Sequence, residues 1–256
     1  MVKKLLKPAT TALLLISYLF LSSAVSLLPA TGRRRRRMRI RLTSFFSGAA
    51  LASFGIRVRV NGVLPLQPAP GGRLIVSNHL SYLDVLTISS LIPSVFITSV
   101  ELKSSFLLGA LARFGGCLFV ERRKPSGLKQ EIADIASALG QGFPVVLFPE
   151  GTTSNGEGVG QFKNSLFDAA ASTGAGILPL CLRYRSINGE AVAGHNRDLI
   201  FYYGDATFLR HLCGLLSLES IDVDIKPLKT ITVTAKDSRK ELAAEAHTAI
   251  SAAYRD

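Results

Sequence analysis

Between Lys7 and Arg33 the chain carries no charged residue, and the centre of that stretch, Ala12 to Leu28, reads ALLLISYLFLSSAVSLL. About 20 helical residues at 1.5 Å each cross a hydrocarbon core of roughly 30 Å. Such a segment is either a membrane anchor or a secretory signal that is cleaved, and Ala24 sits among small residues that a signal peptidase accepts. Against cleavage stands Arg33 to Arg37, directly after the apolar run. An arginine block there resists translocation and pairs with anionic lipid heads on a cytoplasmic leaflet. Residues 1–41 are therefore expected to remain as a membrane anchor with a basic flank. Residues 42–256 should form a body facing the cytosol at the inner (cytoplasmic) membrane, with Lys3, Lys4 and Lys7 pulling weakly the other way.

The formal net charge of +12 would ordinarily raise nucleic acid as a partner. Its placement argues against that. Residues 1–41 hold Lys3, Lys4, Lys7, Arg33 to Arg37, Arg39 and Arg41 and no acid, which leaves 20 basic and 18 acidic residues for all that follows. Cys117, Cys181 and Cys213 are odd in number, far apart and in no CxxC cluster, as small buried side chains in a reducing compartment would be.

After the anchor, Arg39 to Gly55 mixes arginine with Phe45, Phe46, Leu51 and Phe54, the composition of an interfacial helix or of one packed on the protein's own core. Ile56 to Val60 alternates strictly, as a half-exposed strand does, and Asn61-Gly62 turns it; Pro65 to Gly72 is a loop. Strands are then expected at Leu74 to Val76, Val95 to Ser99, Cys117 to Val120, Val145 to Phe148, Ile177 to Leu182, Phe201 to Tyr203 and Ile221 to Ile225. Between them lie helical patterns at Tyr82 to Leu91, Phe106 to Phe114, Leu128 to Leu139 and Phe162 to Ser172, and Glu241 to Tyr254 closes the chain. Alternation of this kind means an α/β fold, a mostly parallel central sheet flanked by helices, with the N-terminal membrane helix added. One domain of this length buries a good-sized core.

Chemistry gathers where these strands end, the usual ligand side of an α/β sheet. Asn78-His79-Leu80-Ser81-Tyr82-Leu83-Asp84 follows the first buried strand. Ser81 and Asp84 alone read as a capping box. On one straight helix His79 and Asp84 would point roughly 140° apart. They meet only if His79 stands in the turn before the helix and Asp84 in its first turn, which the capping box provides. A carboxylate would then orient the imidazole, leaving its other nitrogen to take a proton from a hydroxyl. Three more segments end strands in the same way: GCLFVER delivers Arg122, FPEGTTS delivers Glu150, and ILPL carries Pro179, which suits an edge or substrate-lining position.

The ordered set NHLSYLD, GCLFVER, FPEGTTS and ILPL resembles the four motifs of the glycerolipid acyltransferase family, typified by 1-acylglycerol-3-phosphate acyltransferase, over roughly Gly55 to Tyr184. The resemblance implies that His79 is the general base and Asp84 its partner. It implies that Arg122 meets the acceptor's phosphate or head group, and that Asn78, Glu150, Gly151 and Thr152 help bind acceptor. Phe162-Lys163 is similar to the family's Phe-Lys element and marks Lys163 as an anion contact. It implies an acyl donor, acyl-CoA or acyl-carrier protein, and a lysolipid acceptor, first of all 1-acyl-sn-glycerol-3-phosphate in phospholipid biosynthesis. The mechanism expected is direct transfer to the acceptor hydroxyl, with backbone N–H groups near Gly151 holding the oxyanion and with no metal and no cofactor beyond the acyl donor.

The family's third motif commonly has Arg after Glu-Gly-Thr, and here Thr153 stands in that place. Threonine cannot bind phosphate bidentately. That departure makes lyso-ornithine lipid or another lysophospholipid the alternative acceptor, and Phe201 to Leu212 is similar to relatives acting on lyso-ornithine lipid or other lysolipids. The glycines Gly156, Gly158 and Gly160 do not form GxGxxG, no GxSxG occurs, and His195, His211 and His247 lack metal-ligand spacing. Two other readings remain: a non-catalytic binder of anionic membranes, and a thioesterase using the same His79–Asp84 pair on water.

Overall fold

The computed structural model describes residues 2–65, 71–121, 127–234 and 236–256. The chain begins with a helical hairpin, α1 (Val2–Leu27) and α2 (Gly32–Phe54). The Arg33 to Arg37 block forms the opening turns of α2, as the good helix propensity of a straight-chain side chain allows. Thr31 caps it through Arg34 N–H, and Gly55, in the left-handed region at φ 78°, ends it. The division expected between residues 41 and 42 therefore falls inside an unbroken helix. Ile40, Phe46, Leu51 and Phe54 are buried, so α2 packs on the protein's own core while Phe45 stays outside.

The remaining elements are β1 (Ile56–Val60), β2 (Arg73–Ser77), α3 (Tyr82–Leu91), β3 (Val95–Ser99), α4 (Phe106–Gly115), β4 (Leu118–Val120), α5 (Leu128–Gly140), β5 (Pro144–Leu147), α6 (Asp168–Thr173), β6 (Gly176–Ile187), β7 (Glu190–Ala191), α7 (Phe208–Ser217), β8 (Ile221–Pro227) and α8 (Arg239–Arg255). One sheet runs in the order β1-β8-β6-β2-β5-β3-β4, with β7 paired to β6. From β6 to β4 every pairing is parallel; β8 turns antiparallel to β6 and carries β1 parallel to itself. A largely parallel sheet covered by helices is thus the architecture, as expected.

Each side of the sheet buries its own cluster. On one side Leu74, Val76, Val145, Leu147 and Ile177 meet α5, α6 and α8 through Ile135, Leu139, Ala169, Leu242 and Ile250. On the other, Ile75, Val146, Leu178, Leu180 and Leu182 meet α2 and α3 through Leu51, Phe54, Leu83 and Ile88. Strand residues of one parity face one layer and those of the other parity the second, which is why these strands read as continuous apolar runs.

Three local expectations are corrected. Pro179 lies on β6, an interior strand between β8 and β2 rather than an edge. The proline is tolerated because its side of β6 faces the break after Pro227, where β8 ends and Leu228 N–H reaches back to the Pro179 carbonyl. Phe201 to Tyr203 form no strand: β6 already has partners on both sides, Phe201 is buried against Tyr184, Tyr202 packs its ring on Tyr82, and Tyr203 bonds Asp198 at the surface. Phe162 and Lys163 lie outside any helix, since Lys163 N–H donates to Pro149 O at 2.8 Å and ties this stretch to the loop after β5; helix α6 starts only at Asp168.

The hairpin lies along the body. In α1, Tyr18, Ser22 and Val25 turn inward, while Leu6, Leu13, Ile16, Phe20 and Leu27 form an exposed stripe at helical spacing. Leu6–Leu27 is long and apolar enough to cross a membrane. Both ends of α1 are nevertheless fastened to the rest of the chain: Lys7 Nζ donates to Phe54 O and Leu218 O, and Ser26 Oγ accepts from Arg39 Nη2.

Candidate active site

β2 and β5 are adjacent and parallel, with Val76 opposite Leu147. His79 and Glu150 each stand three residues beyond that registered pair, so the loops leaving the two strands arrive side by side. Asn78 holds the first loop in place. Its amide donates to Leu182 O and accepts from Leu182 N–H, both at 2.9 Å, continuing the β2–β6 ladder by one side chain. Asn78, expected among the substrate-binding residues, is buried with its amide hydrogen-bonded to the backbone of Leu182, and so fixes the start of the loop.

His79 stands before α3 and Asp84 in its first turn, the geometry the spacing requires. Asp84 Oδ2 lies 2.9 Å from His79 Nδ1 and accepts from Leu80 N–H at 2.6 Å and Ser81 N–H at 2.9 Å. Asp84 Oδ1 accepts from the Tyr184 hydroxyl at 2.8 Å. A carboxylate with no exposure and four donors is satisfied on every side. The tautomer that donates from Nδ1 to this carboxylate leaves the lone pair on Nε2. The ring is 18% exposed, and Nε2 has no hydrogen bond among the described residues. Phe148 stacks on it at 4.0 Å between ring centroids, fixing its plane.

The third motif clasps the backbone of His79. Glu150 Oε1 accepts from His79 N–H at 2.7 Å, and Ser154 N–H donates to His79 O at 3.0 Å. Glu150 Oε2 accepts from Gly160 N–H at 2.8 Å, an approach only glycine permits, because a Cβ there would come within 2.7 Å of that oxygen. Burial pushes the Glu150 carboxyl above its usual range, and the two N–H donors pull it partly back. Glu150 therefore braces the histidine, where acceptor binding was expected of it.

Gly151 adopts φ 79° and donates its N–H to Phe148 O at 3.1 Å, so among the N–H groups expected to hold the oxyanion near this residue its own is occupied. A Cβ on Gly151 would come within 2.8 Å of Lys163 Nζ. The Lys163 ammonium thus lies against the third-motif turn, where an anion contact was expected. Thr152 is exposed on the same turn. Arg122 lies outside the described residues.

Four participants were not anticipated: Tyr184, Ser154, Gly160 and Phe148. Tyr184 was detectable, since Leu180, Leu182 and Tyr184 alternate onto the face of β6 that looks toward α3. Burial and the Asp84 carboxylate hold its hydroxyl protonated far above the ordinary phenol range, so it acts as a fixed donor. His211 is a satisfied histidine, bonded to the Tyr82 hydroxyl and Phe201 O.

A histidine oriented by a buried carboxylate at the open end of a parallel sheet, with one imidazole nitrogen turned outward, is an arrangement able to accept a proton from a hydroxyl, as acyl transfer to an alcohol requires. Comparison with known proteins agrees. The family model described as "Acyltransferase" matches residues 57–183, and the chain belongs to that family. It is 35% identical over 214 residues to a lyso-ornithine lipid O-acyltransferase of Brucella abortus (strain 2308), covering 79% of this chain and 78% of that protein. It is 35% identical over 144 residues to a 1-acyl-sn-glycerol-3-phosphate acyltransferase of Neisseria gonorrhoeae, covering 56% of each. The crystal structure of the 1-acyl-sn-glycerophosphate (LPA) acyltransferase PlsC from Thermotoga maritima shares the fold, with a TM-score of 0.65 at 18% identity over 97% of this chain and 96% of that one.

Proposed function

We propose that this acyltransferase moves a fatty acyl group from a thioester, acyl-CoA or acyl-carrier protein, to the hydroxyl of a lysolipid, with His79 as general base. The observation carrying this reading is the His79–Asp84 pair, whose carboxylate faces Nδ1 and leaves Nε2 outward. Nε2 takes the acceptor's hydroxyl proton as its oxygen attacks the thioester carbonyl carbon. The tetrahedral intermediate then expels the donor's thiolate, which recovers the proton from Nε2, and the ester is released. Backbone N–H groups of Thr152 and Thr153, which donate to no other group among the described residues, are proposed to hold the oxyanion. The cycle needs no acyl-enzyme, metal or further cofactor.

For the acceptor, lyso-ornithine lipid is the reading we favour. Relatives of that name match far more of the chain than those named for 1-acyl-sn-glycerol-3-phosphate, and Thr153 removes a bidentate phosphate ligand from the third motif. Arg122 and Lys163 are proposed to meet the acceptor's anionic head. The test is the purified protein with both donor types and a panel of lysolipids. Ester product with lyso-ornithine lipid supports the proposal; transfer to 1-acylglycerol-3-phosphate alone reassigns the acceptor, and free fatty acid without acceptor makes the protein a thioesterase.

The proposed location is the cytoplasmic membrane with the body in the cytosol. Its support is the arginine block after the apolar run and the exposed stripe of α1. Because both ends of α1 are tied to the body, the helix is proposed to lie in one leaflet rather than cross it.

A further inference from the structure

Three arginines of the basic run do not simply face solvent. Arg35, Arg36 and Arg39, from the first turns of α2, surround a cavity of about 660 Å³ together with Arg113 from the last turn of α4. Gly116 to Phe119 form another part of its wall. The cavity lies at the β4 edge, three strands from β2, and no residue of the His79 or Glu150 motifs lines it.

Its charge is uncompensated. None of the four guanidinium groups has a carboxylate partner among the described residues. Arg35 Nη2 is held by Leu28 O at 3.1 Å and Arg39 Nη2 by Ser26 Oγ at 2.9 Å, while the Nε atoms of both are buried without a hydrogen bond. The Arg36 guanidinium lies over the Phe143 ring, 5.8 Å from its centroid, and makes no hydrogen bond among the described residues. Buried donors left open are costly, and guanidinium groups lining one cavity suit the oxygens of a phosphate. Gly32 places the positive end of α2 at the same cavity.

The surroundings say which phosphate. Leu27, 87% exposed, ends the apolar stripe of α1, and Leu28 directly after the helix is the residue whose carbonyl Arg35 holds. An apolar helix end beside an arginine-lined hollow reproduces the tail-to-head-group step of a lipid leaflet. We propose that this cavity binds the phosphate head group of an anionic bilayer lipid whose tails run along α1. The inference rests on the reading that α1 lies in the membrane.

Flotation of the full chain with vesicles tests both parts separately. Vesicles of phosphatidylcholine alone report the apolar hairpin, and the gain on adding one-third phosphatidylglycerol reports the cavity. Arg36→Gln with Arg113→Gln should abolish that gain, about tenfold in partition, and leave neutral-vesicle binding intact. Arg34→Gln with Arg37→Gln removes the same charge from exposed positions of the run and should leave most of the gain. Equal loss in both variants would mean a diffuse field and overturn the cavity. Inorganic phosphate at matched ionic strength should not release the protein; release would make this a free-anion site and also overturn it. Wild-type protein that floats with neither vesicle would sink the membrane reading itself and the inference with it.

Discussion

The backbone N–H of His79 donates to Oε1 of Glu150 at 2.7 Å, so a buried carboxylate from the loop after β5 holds the main chain of the catalytic candidate on the loop after β2. The other oxygen of Glu150 is taken by Gly160 N–H. The two sequence motifs are therefore one mechanical unit: one supplies the imidazole and the other fixes where it stands.

Glu150→Gln keeps the shape but points an amide N–H₂ at one of two N–H donors. Turnover is expected to fall about 10- to 100-fold, the cost of a charge-assisted hydrogen bond lost next to the base, with KM for the acceptor changed less than about twofold. Steady-state kinetics on the purified variant decide it. A large rise in acceptor KM at unchanged kcat would put Glu150 on the substrate instead.

Tyr184→Phe removes the only donor on Asp84 Oδ1 among the described residues and keeps the ring that packs edge-on against Phe201. A buried carboxylate oxygen left unpaired costs about 1–3 kcal/mol, so the unfolding midpoint should drop accordingly and kcat should fall roughly tenfold. Unchanged stability and turnover would show that Asp84 needs no such brace.

Asp222 gives the fold a specific acid sensitivity. Arg57 Nε and Nη2, at 2.8 and 2.9 Å, hold its carboxyl down to about 2, with the Ser186 hydroxyl assisting. A carboxyl whose pKa is lowered on folding stabilises the fold above its unfolded value near 3.9, and that contribution disappears as pH falls through about 2. Arg57 is 60% exposed, so screening limits the effect to about 1 kcal/mol. Denaturation of wild type and Asp222→Asn should differ by that amount above about pH 5 and converge near pH 2. Parallel curves across this range would remove Asp222 from the acid response.

Arg122→Ala is expected to raise acceptor KM about tenfold or more with a smaller effect on kcat, as loss of a head-group contact does. Equal loss of kcat and kcat/KM would place Arg122 at the transition state.

Most of the helices and strands were legible because their apolar periods are uninterrupted: Tyr82 to Leu91 and Ile56 to Val60 have the bounds the sequence implies. The His79–Asp84 contact was legible too, since a five-residue offset closes only across a helix start. What escaped depends on contacts distant in sequence. Asn78 and Leu182, or Tyr184 and Asp84, lie about a hundred positions apart, and nothing local in either member points to the other. Of the two positions that Pro179 suited, an edge or a substrate lining, the edge does not hold, because the break in β8 that accommodates the proline occurs in another strand. The hold of Glu150 on the His79 N–H was not legible because a carboxylate at a strand end looks the same whether it faces solvent or a neighbouring N–H.

The central claim is that His79 Nε2 takes the acceptor's proton. Single-turnover acyl transfer by purified His79→Ala, with acceptor binding measured in parallel, tests it most directly. Loss of about 10²- to 10⁴-fold in the chemical step with acceptor affinity retained is the expected result. Transfer at close to the wild-type rate would contradict it, and the proton would then have to leave by another route.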